Sequence, residues 1–430
     1  MTITEMDEEQ QLFFNQIKTR YQTLATKDSL TRLRAKAWER LEALGLPNRK
    51  HPSFRPIKLR SLFSHQIETP NHTLVDENLV KKHLFPDMGA SIVFINGCYS
   101  KELSNLEALP NSVVIETLEE SMKHYSPLLN SIFGKKIAEE VNPFALINTS
   151  CQTDGLFMYV PPKVTLERPI QVLHLVTCND QSLVLPRINL FQGALSEVKI
   201  EHHTAYISGE KSFVNGMFEV MLEEGAKLHV TETLADAPKS ALHFQSFRAT
   251  QKRDSSLKGI FLTNGAKIAR SDFSVSLIGE NAEVDLSGLW ILRDLLQAHI
   301  HITIDHQAPN CRSMQLFKGV LYDQSRSSFD GEIYVRQAAQ QTNAYQMNNN
   351  LIMSDKARAD TKPNLQIFAD DVKASHGATV GQLDDDLLFY LKTRGVPKDI
   401  AQDLLIEGFC QQVIDLVPYS SLKTLAASWE

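Results

Sequence analysis

The spacing of apolar residues changes twice along the chain. Up to about position 46 these residues recur three and four apart, which predicts amphipathic helices from about Glu5 to Leu46. The residues that carry this pattern are Leu12, Phe13, Ile17 and Tyr21, followed by Leu33, Ala37, Trp38, Leu41 and Leu44. Gly45 and Pro47 end the run. A mixed region then extends to about Phe144 and contains one clear strand, Ser91 to Ile95.

From about Ala145 to Ala374, short segments rich in β-branched and aromatic residues alternate with turn residues, which predicts a succession of strands. The pattern small residue, Ala, polar, aliphatic begins at Gly225, Gly265 and Asn281, with a partial match at Gly193. The offsets of 32, 40 and 16 residues are multiples of eight. Recurring tight turns before strands favour the stacked rungs of a β-solenoid, and a β-sandwich remains the alternative.

After Gly381 the apolar spacing is again that of helices. Asp384, Asp385 and Asp386 place negative charge where the first helix begins, and Gly395 and Pro397 separate it from a second. The second helix carries an apolar stripe, formed by Ile400, Leu404, Leu405, Gly408, Phe409, Val413, Ile414 and Val417. This C-terminal segment is small, so we expect part of its apolar surface, at Leu405, Ile406 and Phe409, to bind a partner.

Composition narrows the function classes. The 430 residues exceed the size of one compact core, so two or three structural regions are expected. The 44 Lys plus Arg against 51 Asp plus Glu give a formal net charge of −7, which offers no general attraction to nucleic acid or an anionic membrane. The acidic N-terminus lacks the features of a secretion signal, and no apolar run approaches the length of a membrane span. We therefore expect a cytoplasmic protein.

Few motifs of catalytic chemistry are present. The chain has no G-x-x-x-x-G-K-[ST], no G-x-S-x-G and no H-E-x-x-H motif, so we do not expect it to hydrolyse ATP itself. Its five cysteines are widely spaced and form no C-x-x-C pair, which argues against a self-contained four-thiolate site. We interpret the pairs His202 and His203, and His299 and His301, together with His306, as structural residues of strands.

The segment from Gly331 to Phe409 resembles the C-terminal signature of the SufD family of iron–sulfur cluster assembly proteins. The matching residues are Gly331, Val335-Arg336, Ala344-Tyr345-Gln346, Asn348 to Leu351, Ala357-Arg358-Ala359-Asp360, Pro363-Asn364-Leu365, Ala369-Asp370-Asp371-Val372, His376-Gly377-Ala378-Thr379-Val380-Gly381, Tyr390-Leu391 and Arg394-Gly395. The run from Ala37 to Pro47 also resembles the N-terminal segment of this family.

The resemblance implies a mainly β protein with α-helical ends, whose core is a right-handed β-helix. We divide the chain accordingly into an N-terminal helical and mixed region (1–144), a β-helix core (145–374) and a C-terminal helical region (375–430). The family pairs with its paralogue SufB through the β-helix and with the ABC-type ATPase SufC through the C-terminal helices.

The resemblance also implies a scaffold rather than an enzyme, with ATP hydrolysis in SufC. His376 would be a ligand of an iron–sulfur cluster shared at the SufB interface, since imidazole is a competent iron ligand. We expect no cofactor bound by the chain alone, a role for reduced flavin only in the complex, and a homodimer as a state open to the isolated chain.

Two departures and two alternatives accompany this interpretation. Many family members have a cysteine where this chain has Ala374, and Met347 stands near the position of the SufB cluster cysteine. A SufB-like homodimeric scaffold is one alternative, but it needs a thiol at position 347. A polysaccharide-active β-helix enzyme is the other, and it predicts secretion and clustered carboxylates on one face.

Overall fold

The computed structural model describes residues 6–24, 28–48, 51–64, 66–71, 74–129, 136–419 and 423. Its α-helices are α1 (Glu8–Thr23), α2 (Thr31–Leu44), α3 (Arg60–Phe63), α4 (Glu77–Lys82), α5 (Leu118–His124), α6 (Pro143–Cys151), α7 (Asp385–Thr393) and α8 (Lys398–Ile414), and a 3-10 turn spans Pro52–Phe54. None of the helices in these ranges is both long and apolar enough to cross a membrane.

The strands are β1 (Ala90–Ile95), β2 (Cys98–Asn105), β3 (Val114–Thr117), β4 (Leu156–Val160), β5 (Ile170–Val176), β6 (Leu183–Val184), β7 (Arg187–Gln192), β8 (Glu197–Tyr206), β9 (Phe213–Leu222), β10 (Lys227–Leu234), β11 (Leu242–Gln251), β12 (Ser256–Thr263), β13 (Ile268–Leu277), β14 (Glu283–Leu292), β15 (Gln297–His306), β16 (Arg312–Leu321), β17 (Arg326–Val335), β18 (Thr342–Ile352), β19 (Arg358–Ile367) and β20 (Val372–Gly381). The strand expected at Ser91 to Ile95 is confirmed as β1.

From β7 onward, successive strands alternate between two largely parallel sheets. The first sheet has the order β2-β1-β5-β8-β10-β12-β14-β16-β18-β20, and the second has the order β19-β17-β15-β13-β11-β9-β7-β4-β3. Each turn of the chain therefore adds one strand to each sheet. This is a β-solenoid flanked by helices, which confirms the predicted fold class and excludes the sandwich.

The eight-residue repeat is wrong, although the fold that it favoured is right. Neighbouring strands of the first sheet pair Lys227 with Ser256 and Ser256 with Glu283, so one turn takes about 30 residues. Gly225 and Asn281 do lie on one edge of the solenoid, two turns apart. Gly265 lies on the opposite edge, between β12 and β13, so its offset from Gly225 does not measure a turn.

Aromatic rings fill much of the space between the sheets. Phe261 and Phe273 have ring centroids 4.2 Å apart, and Phe218 lies 5.4 Å from Phe247 one strand away. These side chains are nearly inaccessible to solvent and belong to one continuous cluster of buried residues. Burial of such rings contributes about 1.5–3 kcal/mol each, so the core is a major source of stability.

The N-terminal region covers the outer face of the second sheet. Phe144 of α6 packs against Phe213 and Phe244 of the sheet, and the centroid distance to Phe244 is 4.8 Å. Arg248 of β11 adds a buried ionic contact, because its Nε donates to Glu140 Oε2 at 2.8 Å. Residues 143–151 form a helix here, although the strand-rich pattern was expected to begin at about Ala145.

The C-terminal helices follow the last strand, as the sequence predicted. Asp384 caps α7 by accepting from the backbone N–H groups of Asp386 and Leu387. Helix α8 lies on the outer face of the first sheet, where Ile406, Cys410 and Val413 join one buried cluster with Leu289 and Val320. Strand β20 extends to Gly381, so His376 belongs to the solenoid. The three-part division of the chain stays a prediction.

Candidate functional site

The solenoid has an open end at its last turn, formed by β19 and β20. Each of these strands is the last of its sheet and has a single hydrogen-bonded neighbour in its sheet, β17 for β19 and β18 for β20. Across the residues that the structure describes, no further strand pairs with the outer edge of either one. Unpaired N–H and C=O groups of this kind form a ready template for another strand. We call β19 and β20 together the open end.

His376 lies in the middle of β20. Its register partner in β18 is Gln346, whose side chain is buried, so alternation along the strand places His376 on the inner side of the sheet. The imidazole is nevertheless exposed, because no further turn covers it. It has no hydrogen-bond partner among the described residues, and it is therefore available to a ligand from outside the chain.

The solenoid interior becomes polar below His376. The Gln346 side chain is 1% exposed and donates through Nε2 to Gln315 Oε1 at 2.9 Å, while its own Oε1 has no partner. Asn350 Nδ2 donates to Asn348 Oδ1 at 2.8 Å in the same strand. Buried polar atoms are normally satisfied, so the free oxygen of Gln346 marks a place where a water or a further donor fits.

The open end contains no preformed metal site of its own. Nowhere in the described ranges do three or more His, Cys, Asp or Glu side chains stand together as metal ligands. Ala374 lies two residues before His376 and on the same face, so a cysteine there would share this surface, but the chain has none. Met347 is 41% exposed beside Gly377. His376 can thus supply one ligand, and the others must come from elsewhere.

The cysteines of the chain do not complete such a site. Cys98, Cys151, Cys178, Cys311 and Cys410 all lie outside β19 and β20, and none forms a disulfide. Burial raises the pKa of the Cys151 thiol to about 11 and also raises the pKa of Cys178 and Cys311. Because the thiolate is the form that binds metal and reacts, these three residues are suited to packing.

The other histidines considered from sequence have structural contacts. His299 Nδ1 lies 2.7 Å from Ser328 Oγ, and His306 Nε2 lies 2.9 Å from Ser313 Oγ. His301 Nδ1 lies 3.0 Å from a carboxylate oxygen of Asp272. Burial lowers the pKa of His299 to about 3 and that of His306 to about 4, so both are neutral at physiological pH.

The three residues predicted to bind a partner have different environments. Ile406 is 4% exposed and packs on the solenoid, whereas Leu405 and Phe409 are partly exposed. The Phe409 carbonyl accepts from Lys318 Nζ at 2.9 Å, and the same ammonium group lies 4.4 Å from the centre of its ring. Ile406 thus holds α8 on the first sheet in this structure. The partner role of these residues stays a prediction.

A larger exposed apolar surface lies beside them on α7 and α8. We call it the helical apolar surface, and it consists of Leu387, Phe389, Tyr390, Ile400 and Leu404, each about half exposed or more. The sequence analysis did not assign these residues to a partner. The available signal was the run of five apolar residues from Leu387 to Leu391, which is too long for one face of a short helix.

Comparison with known proteins gives matches along almost the whole chain. Residues 175–409 match the family model described as SUF system FeS cluster assembly, SufBD core domain. Residues 6–172 match the model of the SufBD protein N-terminal region.

Three relatives illustrate the range of similarity. An iron–sulfur cluster assembly SufBD family protein of Synechocystis sp. is 31% identical over 98% of this chain and 94% of its own length. The iron–sulfur cluster assembly protein SufD of Escherichia coli is 26% identical over 90% of this chain and 88% of its own. The SufD protein of Bacillus subtilis is 27% identical over 74% of this chain and 73% of its own.

Proposed function

The chain belongs to the SufBD family of iron–sulfur cluster assembly proteins, and on this basis we propose that it is a SufD-type scaffold subunit without ATPase activity of its own. It pairs with a SufB-type subunit and with a SufC-type ATPase. Iron and sulfide are the cargo of this assembly, and reduced flavin acts at the level of the complex. The observation that carries the proposal is the exposed, unpartnered His376 in the middle of an unpaired edge strand.

The open end is the surface proposed for the SufB-type partner. Strand pairing would satisfy the free backbone groups of β19 and β20 and extend the sheets across the interface. In that arrangement His376 faces the partner from within the pairing surface. A neutral imidazole combined with a thiolate of the partner gives a mixed ligand set suited to iron. The lack of further ligands around His376 in this chain supports a shared site.

The helical apolar surface is proposed for the SufC-type partner. Helix α8 rests on β12, β14 and β16 through Ile406 and Cys410. Strand β16 pairs with β18, and β18 pairs with β20, so three hydrogen-bonded strands connect the base of α8 to His376. A displacement of α7 and α8 by an ATPase therefore has a short path through regular sheet to the cluster site.

The decisive experiment is co-expression of this chain with SufB and SufC proteins, using His376→Ala. Because His376 is exposed and makes no hydrogen bond, we expect the complex to assemble normally while its cluster content falls. The matched control is His124→Ala, which removes another exposed imidazole at the end of α5. Unchanged cluster content in a fully assembled His376→Ala complex would contradict the ligand role.

The ATPase contact needs point substitutions rather than deletion of the C-terminal helices. Deletion from position 384 would uncover Leu289 and Val320, which α8 now buries, and would confuse lost binding with lost stability. Phe389→Asp changes a side chain that is 66% exposed, and we expect it to weaken copurification of SufC while SufB binding persists. Leu12→Asp, on a 60% exposed residue of α1, is the control. Undiminished SufC binding by Phe389→Asp would argue against this surface.

A further inference from the structure

A groove with a cationic lining lies along one edge of the solenoid, away from the open end and from the helical apolar surface. It has a volume of about 570 Å³, which is within the range of small-molecule sites. Six of its lining residues are basic, and none is acidic: Lys58, Lys239, Lys267, Arg326, Lys356 and Arg358. The whole chain carries a net charge of −7, so this concentration of positive charge runs against the composition.

The solenoid itself places these cations in register. Lys239 precedes β11, Lys267 precedes β13, and Arg326 and Arg358 are the first residues of β17 and β19. These strands follow one another in the second sheet, with β15 between β13 and β17. Since neighbouring strands are about 4.8 Å apart, the basic positions extend over roughly 19 Å. A linear series of charges suits an extended polyanion better than a single small anion.

Most of this charge is not neutralised within the chain. Among the described residues, Lys58, Lys267, Arg326 and Lys356 form no ion pair, and Lys239 pairs with Asp294 at 2.6 Å. The neighbouring turns do contain aspartates, but these have other partners. Asp323 accepts from the backbone of Asp294 at 2.8 Å, and Asp236 accepts from Asn264 at 2.7 Å.

A buried amide gives the groove a fixed polar group. Gln297 is 8% exposed and lines the groove, and its Oε1 lies 3.1 Å from His299 Nε2. His299 Nδ1 in turn lies 2.7 Å from Ser328 Oγ. Burial, and then the charges of Arg270 and Arg326, lower the pKa of His299 to about 3, so the neutral ring can donate from Nε2 and accept at Nδ1. This chain orients the Gln297 oxygen toward His299 and leaves its NH₂ group as a donor.

We propose that this groove is a binding site for a small molecule that carries two or more linked phosphate groups. The unpaired cations bind the phosphates, and the hydroxyls of Ser61 and Ser240 with the amide of Gln297 supply neutral donors. Leu295, which is 67% exposed within the cationic series, offers an apolar contact for an organic group attached to the phosphates. The groove therefore fits either an inorganic oligophosphate or a nucleoside diphosphate, which share the phosphate chain.

Isothermal titration calorimetry on the full chain tests the proposal, with inorganic tripolyphosphate and ADP as probes at low and at physiological ionic strength. We expect saturable binding of at least one probe. The double variant Lys267→Gln/Arg326→Gln should weaken it by about tenfold, because two exposed charge pairs are lost. The ratio of the two affinities distinguishes an inorganic ligand from a nucleotide.

The matched control is Lys227→Gln/Arg312→Gln. These residues are exposed at the starts of β10 and β16, on the opposite edge of the solenoid, and their removal changes the net charge equally. We expect less than a twofold change in affinity. Leu295→Glu is a third variant that keeps every cation but places a carboxylate in the groove, and it should abolish binding. Circular dichroism and thermal unfolding verify that each variant is folded.

Three results would overturn the proposal: no saturable binding of either probe at low ionic strength, an equal loss in the control variant, or binding of sulfate as tight as that of tripolyphosphate. Tighter binding of an acidic peptide or of single-stranded DNA than of both phosphates, with the same dependence on Lys267 and Arg326, would also reject it and identify the groove as a surface for a macromolecule.

Discussion

Acidification should unfold this protein well above the range in which carboxylates titrate. Five histidines are buried in the solenoid with at most 9% of their surface exposed: His174, His203, His243, His299 and His306. Burial lowers the pKa of His243 and His299 to about 3, that of His203 and His306 to about 4, and that of His174 well below its ordinary value.

The sign of the effect follows from proton uptake. In the unfolded chain these imidazoles take up protons below a pKa of about 6.5, whereas in the folded chain they remain neutral until about pH 3–4. The unfolded state therefore binds more protons throughout this window, and stability is lost as the pH falls from about 6.5. Each histidine contributes a slope of about 1.4 kcal/mol per pH unit.

One buried carboxyl opposes this trend. Glu201 is 2% exposed, and burial raises its pKa to about 9, so it is protonated in the folded chain and ionised in the unfolded chain near neutral pH. Its contribution to stability rises as the pH falls toward about 4.3. Five histidines against one glutamate leave a net slope of about 5 kcal/mol per pH unit near pH 5. A typical stability of about 5–15 kcal/mol would then be exhausted one to three units below pH 6.5.

Urea unfolding followed by circular dichroism at several pH values between 7.5 and 5 measures this slope. His306→Gln keeps a hydrogen-bonding partner for Ser313 but cannot titrate, and it should reduce the slope by about 1.4 kcal/mol per pH unit. His376→Gln, on the exposed histidine of β20, should leave the slope unchanged. A free energy of unfolding that stays constant from pH 7.5 to 5.5 would refute the reasoning.

Three further predictions concern single contacts, each measured by urea unfolding at pH 7.5. Arg248→Met should cost about 3–5 kcal/mol, because it leaves the buried carboxylates of Glu140 and Asp272 without this partner; a loss below 1 kcal/mol would contradict this, and the cost should shrink in an Arg248→Met/Glu140→Gln background. Gly279→Ala should cost about 1–3 kcal/mol or more, since its Cβ would overlap the backbone of Lys252 and Arg253, whereas Gly381→Ala, with open space around it, should be near neutral; equal effects would be inconsistent with the packing. Phe273→Ala should cost about 3–5 kcal/mol by leaving a cavity in the aromatic core, and a fall of less than 1 kcal/mol would show that the core is not packed as described.

The period-two pattern of the middle region was sufficient to predict strands, and the helical spacing at both ends was sufficient to predict helices. The length of a turn was not recoverable from Gly-Ala pairs, because several turns use other residues with positive φ. Asp254 and Asn310 occupy such positions on the edge that contains Gly225, with φ of 56° and 61°. Asp and Asn tolerate this conformation, so a search for Gly alone misses alternate turns.

The site was predictable in identity but not in environment. His376 was selected through its surrounding motif, and its exposure depends on the absence of a further turn above β20, which no local pattern encodes. Likewise, the stripe that contains Ile406 shows that a helix has an apolar face but not what covers it. Here the first sheet covers Ile406 and leaves Leu387 and Phe389 outside. The cationic groove was missed because its residues come from separate turns, and only the solenoid aligns them.

The open end also determines where the molecule is weakest. In a solenoid each turn is stabilised mainly by its two neighbours, so cooperativity passes along one dimension. The turn made by β19 and β20 has a neighbour on one side only among the described residues, whereas β11 and β13 are flanked on both. Amide exchange in the free chain should therefore form a gradient, fastest at the terminal turn and slowest near the middle. A subunit that docks there would act as the missing neighbour, so assembly itself would complete the folding of the surface on which the cargo is held.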